Sequence, residues 1–339
     1  MVNIIIPAYN AHKTIRQAVA SVAVQDNQDE IKLTIVDDCS DEPYDYLLGD
    51  FKYLNMNILK KPFNSGPGQT RQYGIDRTDC EYLMFLDSDD CLYFPAAVNI
   101  LLSNIKDTDY DVVAGCFIEE TPDNSHVLHS NDINWMHGKL YRTQYLKKHN
   151  IKFNKTRCNE DSSFNAIILY NGAKIHFVDI IAYIWKYNRD SITRAKNFLI
   201  DSMDDYVANA EYTVSECFRL KAHRNNIFHC IAQYLVYFYV YYMKFVNEKN
   251  DHVKINRYMA KAKRFYGNIP RDMVELLTNE NLGQIFYANY AVKNLINSNF
   301  MMHISFHDFL NLLKNPMVHG VTRNHPNIGV PTGKVFLPQ

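Results

Sequence analysis

Two carboxylates separated by one residue follow an apolar run in the first third of the chain. Asp87 and Asp89 come directly after residues 82–86, and Asp90 extends the acidic cluster. The run predicts a buried parallel strand, which places the carboxylates in the loop at its carboxyl end, where open α/β sheets bind ligands. Carboxylates held at a rigid strand end suit a hard divalent cation that also binds phosphate oxygens. The same spacing is typical of an ordinary turn, so the rest of the sequence must decide between the two interpretations.

Two other predicted strands, residues 3–6 and 31–36, also end in polar loops. The loop residues are Pro7, Ala8, Tyr9 and Asn10 after the first strand, and Asp37 and Asp38 after the second. Parallel strands share one carboxyl edge, so these loops and the Asp87 cluster should converge on one crevice. No Gly-x-Gly-x-x-Gly follows the first strand, which disfavours a nicotinamide or flavin dinucleotide. A nucleotide held by side chains and a metal is favoured instead.

Hydrophobic periodicity alternates between strand and helix in the first half of the chain. Strands are predicted at 3–6, 31–36, 57–59, 82–86 and 111–117, and helices at 14–24 and 68–75. This order indicates an α/β fold with a doubly wound, mostly parallel sheet. From 197 to about 313, helical periodicity dominates. Residues 227–245 are apolar, but His229, Gln233 and Lys244 interrupt them, which favours a buried helix over a membrane span.

Four ordered segments, residues 4–10, 35–40, 64–72 and 85–90, resemble family 2 glycosyltransferases of the GT-A fold. Downstream, Trp135, residues 139–142, Phe153, residues 160–164 and residues 187–193 continue the similarity. The resemblance implies a GT-A domain over residues 1–195, with a Rossmann-like, mostly parallel sheet and helices on both faces. A helical domain over 196–315 would then build the acceptor site or an oligomer contact, including one between identical chains. Residues 316–339, rich in His, Asn, Gly and Pro, are expected to form an irregular tail.

The resemblance also implies roles in donor binding. The base of a nucleotide-sugar would lie in the pocket of the first loop, and Asp38, more than Asp37, would accept a hydrogen bond from the base or ribose. Asp89 would ligate Mn²⁺ or Mg²⁺, while Asp87 would face the ribose or the metal. The donor-binding residues expected are Pro7, Ala8, Tyr9, Asn10, Asp37, Asp38, Gly66, Arg71, Asp87 and Ser88.

Two of these assignments have an alternative. Asp37 and Asp38 could simply form a turn and a helix cap. Arg71, inside a helix that opens at Gly66, could bring a cation near the donor. It could equally pair with Asp38 or Asp87 as a structural arginine.

Inverting transfer needs a base that deprotonates the acceptor hydroxyl. By resemblance, Asp161 is expected to be that base and Glu160 a supporting or acceptor-positioning group. Adjacent residues on a helix point about 100° apart, so only one of the two can act as the base. The alternative is that Asp161 caps the helix that starts here.

These features together predict a metal-dependent inverting glycosyltransferase that uses a nucleotide-sugar donor, with a UDP-sugar favoured. A glycan or wall-polymer acceptor is favoured, and modified nucleic acid such as phage DNA is a further option. One alternative is a sugar nucleotidyltransferase, although the first loop lacks its Gly-rich signature. Another is a non-catalytic glycan-binding relative, which would have no need of Asp87, Asp89 and Asp161.

Composition adds weaker constraints. The 339 residues carry a net charge of −1, which gives no overall attraction to nucleic acid or membrane. Seven cysteines without a Cys-x-x-Cys pair indicate free thiols in a reducing compartment. With no secretory signal at the start, a cytoplasmic location is expected. One basic stretch contains no acidic residue and is interpreted as a solvated helix face or a phosphate-binding surface: Lys254, Arg257, Lys261, Lys263, Arg264 and Arg271.

Overall fold

The structure is a computed structural model that describes residues 1–189, 191, 198–248, 251–277 and 304–314, together with 282, 285, 286, 289 and 292. The predicted tail at 316–339 lies outside the described residues. So does the predicted boundary between the two domains at 195, because 192–197 are not described. The division into two domains therefore stays a prediction.

The elements alternate between strand and helix up to residue 185 and are helical afterwards. The strands are β1 (Val2–Ala8), β2 (Ile31–Asp37), β3 (Met56–Lys60), β4 (Tyr82–Phe85), β5 (Cys91–Leu92), β6 (Val112–Glu120), β7 (His126–His129), β8 (Lys139–Arg142) and β9 (Ile175–Trp185). The helices of the first part are α1 (Ile15–Ala23), α2 (Pro67–Ile75), α3 (Ala97–Ile105), α4 (Thr143–His149) and α5 (Glu160–Tyr170). Those of the second part are α6 (Phe198–Asp201), α7 (Met203–Arg219), α8 (Arg224–Asn247), α9 (His252–Gly267), α10 (Arg271–Val274) and α11 (Phe306–Lys314).

The described strands form one sheet in the order β3-β2-β1-β4-β8-β6-β9-β5, with β7 paired to β6. All pairs from β3 to β4 are parallel, as predicted. The second half of the sheet is mixed, because β8 inserts antiparallel between β4 and β6 while β6 and β9 run parallel. Every residue of β1 is buried, as expected for a central strand covered on both faces.

Helices cover both faces of the sheet, so the predicted α/β class is confirmed. Alternate residues of β1 point to opposite sides, and Ile4 and Ile6 pack in the core that contains α1 and α3. Ile5 packs in the other core, with Ile75 of α2 and Phe164 of α5. The α2 and α5 helices therefore lie on the same face of the sheet.

The helical part has its own apolar core, formed mainly by α7, α8, α9 and α11. Phe238 of α8 lies at its centre, with ring centroids 5.9 Å from Tyr206 and 5.1 Å from Phe265, both edge-on. Such edge-to-face pairs are favourable beyond the area that they bury. The expectation that residues 227–245 form a buried helix is confirmed. Within the described residues, no helix has the length and apolarity needed to cross a bilayer.

One buried amide joins the helical part to the chain just before α5. Asn209 of α7 donates to the carbonyl oxygen of Cys158 at 2.8 Å. Its own Oδ1 accepts hydrogen bonds from Thr156 Oγ1 at 2.8 Å and from Asn154 Nδ2 at 3.0 Å. Because Asn209 is only 2% exposed, these bonds are shielded from water and anchor residues 154–158 to α7.

Four of the six residues of the basic stretch are paired with acidic residues of α6 and α7. Lys254 Nζ lies 2.5 Å from Asp201, and Lys261 Nζ lies 2.6 Å from Asp204. Two arginines complete this set, which we call the α7–α9 ion-pair ladder: Arg257 pairs with Asp204, and Arg264 pairs with Glu211. The pairing offsets the positive charge on which the phosphate-binding interpretation rested.

The ladder predicts a stability effect for reversing its charges. Lys261→Glu, Lys263→Glu and Arg264→Glu together should lower Tm by a few degrees, because they place like charges beside Asp204 and Glu211. The loss should shrink in about 1 M salt, where exposed charges are screened. Differential scanning calorimetry at low and high salt measures both effects.

Lys263→Glu alone is the matched control, since the described residues give Lys263 no ion-pair partner, and its Tm should change little. A triple variant with unchanged Tm at low salt would show that the ladder does not form in solution.

Candidate active site

The loops after β1, β2 and β4 meet at one edge of the sheet, as the sequence predicted. Ala8 at the end of β1 lies opposite Asp37 at the end of β2. The backbone N–H of Asp38 donates to the carbonyl oxygen of Ala8 at 2.8 Å, which ties the first two loops together. The helices α2 and α5 both begin near this edge, so the functional candidates from distant parts of the chain share one region.

Arg71 of α2 joins two of the candidate segments. Its Nη1 donates to Glu160 Oε1 at 2.7 Å, and its Nη2 donates to Asp87 Oδ1 at 2.5 Å. The predicted structural pairing with Asp87 is therefore present, Glu160 is an additional partner, and Asp38 is not a partner. Burial lowers the pKa of the Arg71 guanidinium, but the two carboxylates outweigh it and raise the pKa above its ordinary value.

Asp38 is used to hold the start of α2. Its Oδ1 lies 2.5 Å from Lys61 Nζ, and its Oδ2 accepts hydrogen bonds from the backbone N–H groups of Gly66 at 2.8 Å and Ser65 at 3.1 Å. The residue is 3% exposed. These protein partners are enough to explain an acidic residue at this position, even if Asp38 contacts no ligand. A contact between Asp38 and the base or ribose stays a prediction.

Asp37 follows the alternative interpretation, because its Oδ1 accepts the backbone N–H of Ser40 at 2.8 Å in a turn. Lys60 Nζ lies 3.9 Å from its other oxygen. Asp37 is 2% exposed, so its carboxylate faces the protein. Its weaker donor-binding assignment likewise stays a prediction.

In the first loop, Tyr9 and Asn10 are open to solvent. Tyr9 is 51% exposed, whereas Pro7 and Ala8 are buried as the last residues of β1. Asn10 has a positive φ of 50° and exchanges two hydrogen bonds with Asp41, at 2.9 and 3.0 Å. The predicted base pocket can therefore offer the Tyr9 ring as a stacking surface, while the Asn10 amide is engaged in shaping the loop.

The acidic loop after β4 divides into an inner and an outer part. Asp90 is 1% exposed and accepts hydrogen bonds from Tyr183 Oη at 2.6 Å and from the backbone N–H of Lys186 at 2.8 Å. Asp89 is partly buried and accepts a hydrogen bond from Asn188 Nδ2 at 2.7 Å. Burial, helped by Asp87, raises the pKa of Asp89. Asp87, Ser88 and Asp89 are all partly accessible, as ligand-binding residues must be.

His137 is a site residue that the sequence did not indicate. One of its ring nitrogens lies within 4.8 Å of carboxylate oxygens of both Asp87 and Asp90. Its Nδ1 is buried and has no hydrogen-bond partner among the described residues. Burial lowers the pKa of His137 to about 3, so the ring is neutral, the form that binds metals. Carboxylates beside a neutral imidazole are a donor set that fits a divalent cation such as Mn²⁺. No spacing motif surrounds His137 in the sequence.

Asp161 lies in the first turn of α5, where the sequence placed it. The helix begins at Glu160, and Asn159 at its N-cap makes no side-chain capping bond. Asp161 Oδ1 accepts the backbone N–H of the next residue, Ser162, at 2.7 Å. Burial raises the pKa of Asp161, and Asp87 adds to this rise while Arg71 opposes it. A carboxylate with a raised pKa is a better proton acceptor, as a general base requires.

Glu160 is buried beneath α2 and not open to an acceptor. It is 4% exposed, and burial together with Asp161 raises its pKa, against the opposing effect of Arg71. Gly68 allows the close approach of α2, since a Cβ at this position would lie 2.4 Å from Glu160 Cγ. This burial agrees with a supporting role for Glu160, and its role toward an acceptor stays a prediction.

The chain matches a known family over its first half. Residues 3–160 match the family described as "Glycosyl transferase family 2". The poly(ribitol-phosphate) beta-N-acetylglucosaminyltransferase TarS of Staphylococcus aureus is 28% identical over 204 residues, which are 56% of this chain and 36% of TarS. The chain therefore spans well under half the length of this curated relative.

Solved structures show the same fold. The crystal structure of S. aureus TarS 1-349 in complex with UDP-GlcNAc superposes with a TM-score of 0.70 at 19% identity, covering 89% of this chain and 93% of that one. The mannosyltransferase PcManGT from Pyrobaculum calidifontis, in complex with GDP-Man and Mn²⁺, gives a TM-score of 0.52 at 11% identity, with 92% and 85% covered. At these identities the likeness extends to the fold alone, and it confirms the predicted GT-A architecture.

The tight contact between α2 and α5 predicts the effect of a single methyl group. Gly68→Ala should destabilise the protein by about 1–3 kcal/mol, because the new Cβ must displace the buried Glu160 side chain. Urea unfolding followed by circular dichroism measures the change. Gly267→Ala is the control in another helix, where a Cβ would meet nothing within 4 Å. It should be neutral or slightly stabilising, and equal effects of the two substitutions would contradict the close packing of α2 on α5.

Proposed function

Residues 3–160 belong to glycosyl transferase family 2, and on that premise we propose that the protein is a metal-dependent, inverting transferase of a sugar from a UDP-sugar to a hydroxyl of a wall polymer or glycan. One observation carries this proposal. The loop of Asp87 and Asp89 contains donors suited to a divalent cation, with ligand atoms of Asp87, Asp90 and His137 within 4.8 Å of one another, and it lies at the same sheet edge as Asp161, a carboxylate with a raised pKa. Sugar transfer needs both groups, on opposite sides of the reacting carbon.

A nucleotide donor is supported by the open edge of the sheet. Tyr9 offers an exposed ring for a base, and the start of α2 lies next to the loop of Asp87. The similar TarS structure contains UDP-GlcNAc, which supports a UDP-sugar for this chain. We therefore assign the base to the pocket of Pro7, Ala8, Tyr9 and Asn10, and the diphosphate to the side of Asp87 and Asp89.

A divalent cation would be held by Asp89 and Asp87, with His137 close by. A cation held there, Mn²⁺ or Mg²⁺, would supply positive charge that stabilises the diphosphate leaving group. Ser88 keeps the turn between the two carboxylates small. Asp90, which is engaged with Tyr183 and Lys186, fixes the loop from beneath. Two oxygen ligands with solvent or phosphate oxygens completing the shell are typical of such sites.

Asp161 would remove the proton from the acceptor hydroxyl. In an inverting reaction the oxygen attacks the anomeric carbon as the bond to the diphosphate breaks, and the proton passes to the base. A pKa raised by burial brings Asp161 nearer to the operating pH, where proton transfer is most efficient. Glu160 supports Asp161 from beneath and does not contact the acceptor in this proposal.

The acceptor is proposed from the relatives. The name of TarS states that it glycosylates poly(ribitol-phosphate), which supports a polyol-phosphate or similar polymer here. Nucleic acid is disfavoured, because the basic stretch on α9 is paired within the α7–α9 ion-pair ladder. A sugar nucleotidyltransferase and a non-catalytic relative are not favoured either, since the matched family is one of glycosyltransferases.

Metal dependence predicts the effect of Asp89→Asn, which removes one charge and keeps the shape. Hydrolysis of the donor should fall by about a hundredfold or more, as expected for the loss of one charged transition-state contact. A panel of nucleotide-sugars with and without Mn²⁺ measures this, since slow hydrolysis needs no acceptor. Tm should change little because Asp89 is partly accessible. Normal, Mn²⁺-stimulated hydrolysis in this variant would rule out the assignment.

The base assignment predicts that Asp161→Asn separates binding from chemistry. Transfer should be abolished while calorimetric titration shows UDP bound in Mn²⁺ with an affinity close to that of the wild type, because only proton removal is lost. In the wild type, kcat/KM should fall as the pH drops through the raised pKa of Asp161, which must be deprotonated to act. A large loss of UDP affinity would instead make Asp161 a structural residue.

A further inference from the structure

Beyond the individual roles, we propose that Arg71 is a positioning residue that couples the donor-metal loop, Asp87–Asp89, to the base at the start of α5 by acting through Glu160. This inference rests on the proposed function, because it assigns the two coupled groups to metal and base. Such a residue would hold Asp161 in the position that it needs as a base only when the loop of Asp87 also holds its donor-binding position.

The guanidinium is the only group described that contacts both segments with charge-assisted hydrogen bonds. Nη1 reaches Glu160 at 2.7 Å, one residue before Asp161. Nη2 reaches Asp87 at 2.5 Å, two residues before Asp89. A guanidinium is planar and rigid, so its two ends fix the separation and the relative orientation of their partners. A change in the Asp87 loop is thereby transmitted to the first turn of α5.

The rest of α2 holds Arg71 in this orientation. Gln69 Nε2 donates to the carbonyl oxygens of Phe153 and Asn154, both at 3.2 Å. Gln72 Oε1 accepts the backbone N–H of Phe153 at 3.1 Å. These bonds tie α2 to the segment that leads into α5, on the side where Asp38 already holds the start of α2. A movement of Arg71 away from Asp87 and Glu160 would therefore break buried contacts.

Direct donor binding is the competing role for Arg71, and its burial argues against it. A donor-binding arginine presents its guanidinium to the open pocket, whereas Arg71 is 4% exposed. The Phe153 ring lies 6.0 Å from the guanidinium carbon and covers one side of it.

The coupling can be measured without turnover, by hydrogen exchange in the presence of UDP and Mn²⁺. In the wild type, ligand should slow amide exchange both in residues 86–90 and in residues 159–164. In Arg71→Lys the first effect should persist and the second should be lost, because an ammonium lacks the fork that bridges two carboxylates. Glu160→Gln, which keeps the shape and leaves the pair of Arg71 with Asp87 intact, should give the same result.

Kinetics give an independent readout. Both variants should lose transfer by on the order of 100-fold in kcat, the effect of a misplaced reacting group. The affinity for UDP with Mn²⁺ should stay within about threefold of the wild type. If Arg71 acts through Glu160, the double variant should be no worse than either single one, since coupled residues are not additive.

Arg142→Lys is the matched control for a partly buried arginine outside the site. Arg142 lies at the opposite end of β4 and donates to the carbonyl oxygens of Tyr110 at 3.0 Å, Ile105 at 3.1 Å and Thr108 at 2.9 Å. The Arg142→Lys substitution should lower Tm and leave kcat and both hydrogen-exchange effects unchanged. Should Arg71→Lys fail to fold, Glu160→Gln carries the test alone.

The outcomes distinguish a failure of the proposed coupling from a failure of the proposed function. A tenfold or greater loss of UDP affinity in Arg71→Lys, or additive losses in the double variant, would overturn the coupling and make Arg71 a donor ligand. Persistence of the exchange effect at 159–164 in both variants would also overturn it. A wild type that neither binds UDP nor hydrolyses any nucleotide-sugar would instead overturn the proposed function, and the coupling with it.

Discussion

A buried arginine between two carboxylates is the interaction on which this site depends. Arg71 sits 2.5 Å from Asp87 and 2.7 Å from Glu160, and its side chain is almost completely buried. A buried ion pair of this kind adds little net stability, but removing one partner leaves an uncompensated charge and is strongly destabilising. Gly68 lets α2 approach Glu160 closely, and Asp38 anchors the start of α2. Both contacts hold the helix that carries the Arg71 guanidinium.

The site contains more buried negative charge than the nearby cation offsets. Five carboxylates lie around Arg71 at the edge of the sheet: Asp87, Asp89, Asp90, Glu160 and Asp161. Several have raised pKa values because burial and their like-charged neighbours disfavour ionisation. A divalent cation would relieve this repulsion on one side, while Asp161 keeps the high proton affinity that a base needs. The same electrostatics agree with the proposed metal site at the Asp87–Asp89 loop and the proposed base, Asp161.

The helical part contributes to the site through structure and not through charge. Asn209 holds residues 154–158, the segment that delivers α5 and hence Asp161 to the sheet edge. The α7–α9 ion-pair ladder holds α9 against α7, so the basic residues serve packing between helices. The helical region therefore supports the segment that leads into α5. The position of Asp161 thus depends on both parts of the chain.

Local patterns in the sequence determined the strands of the parallel half-sheet, the loops at their ends and the start of α5, because hydrophobic periodicity and motif spacing report short-range structure. The fold class followed from them, and the resemblance of the ordered motifs to family 2 glycosyltransferases supplied the candidate residues of the site. Only the tertiary structure decided what those residues contact. Glu160 as the second partner of Arg71, His137 beside Asp87, the antiparallel insertion of β8 and the pairing of Arg264 with Glu211 each join residues far apart in sequence. Such contacts depend on how the elements pack, and no local periodicity encodes them.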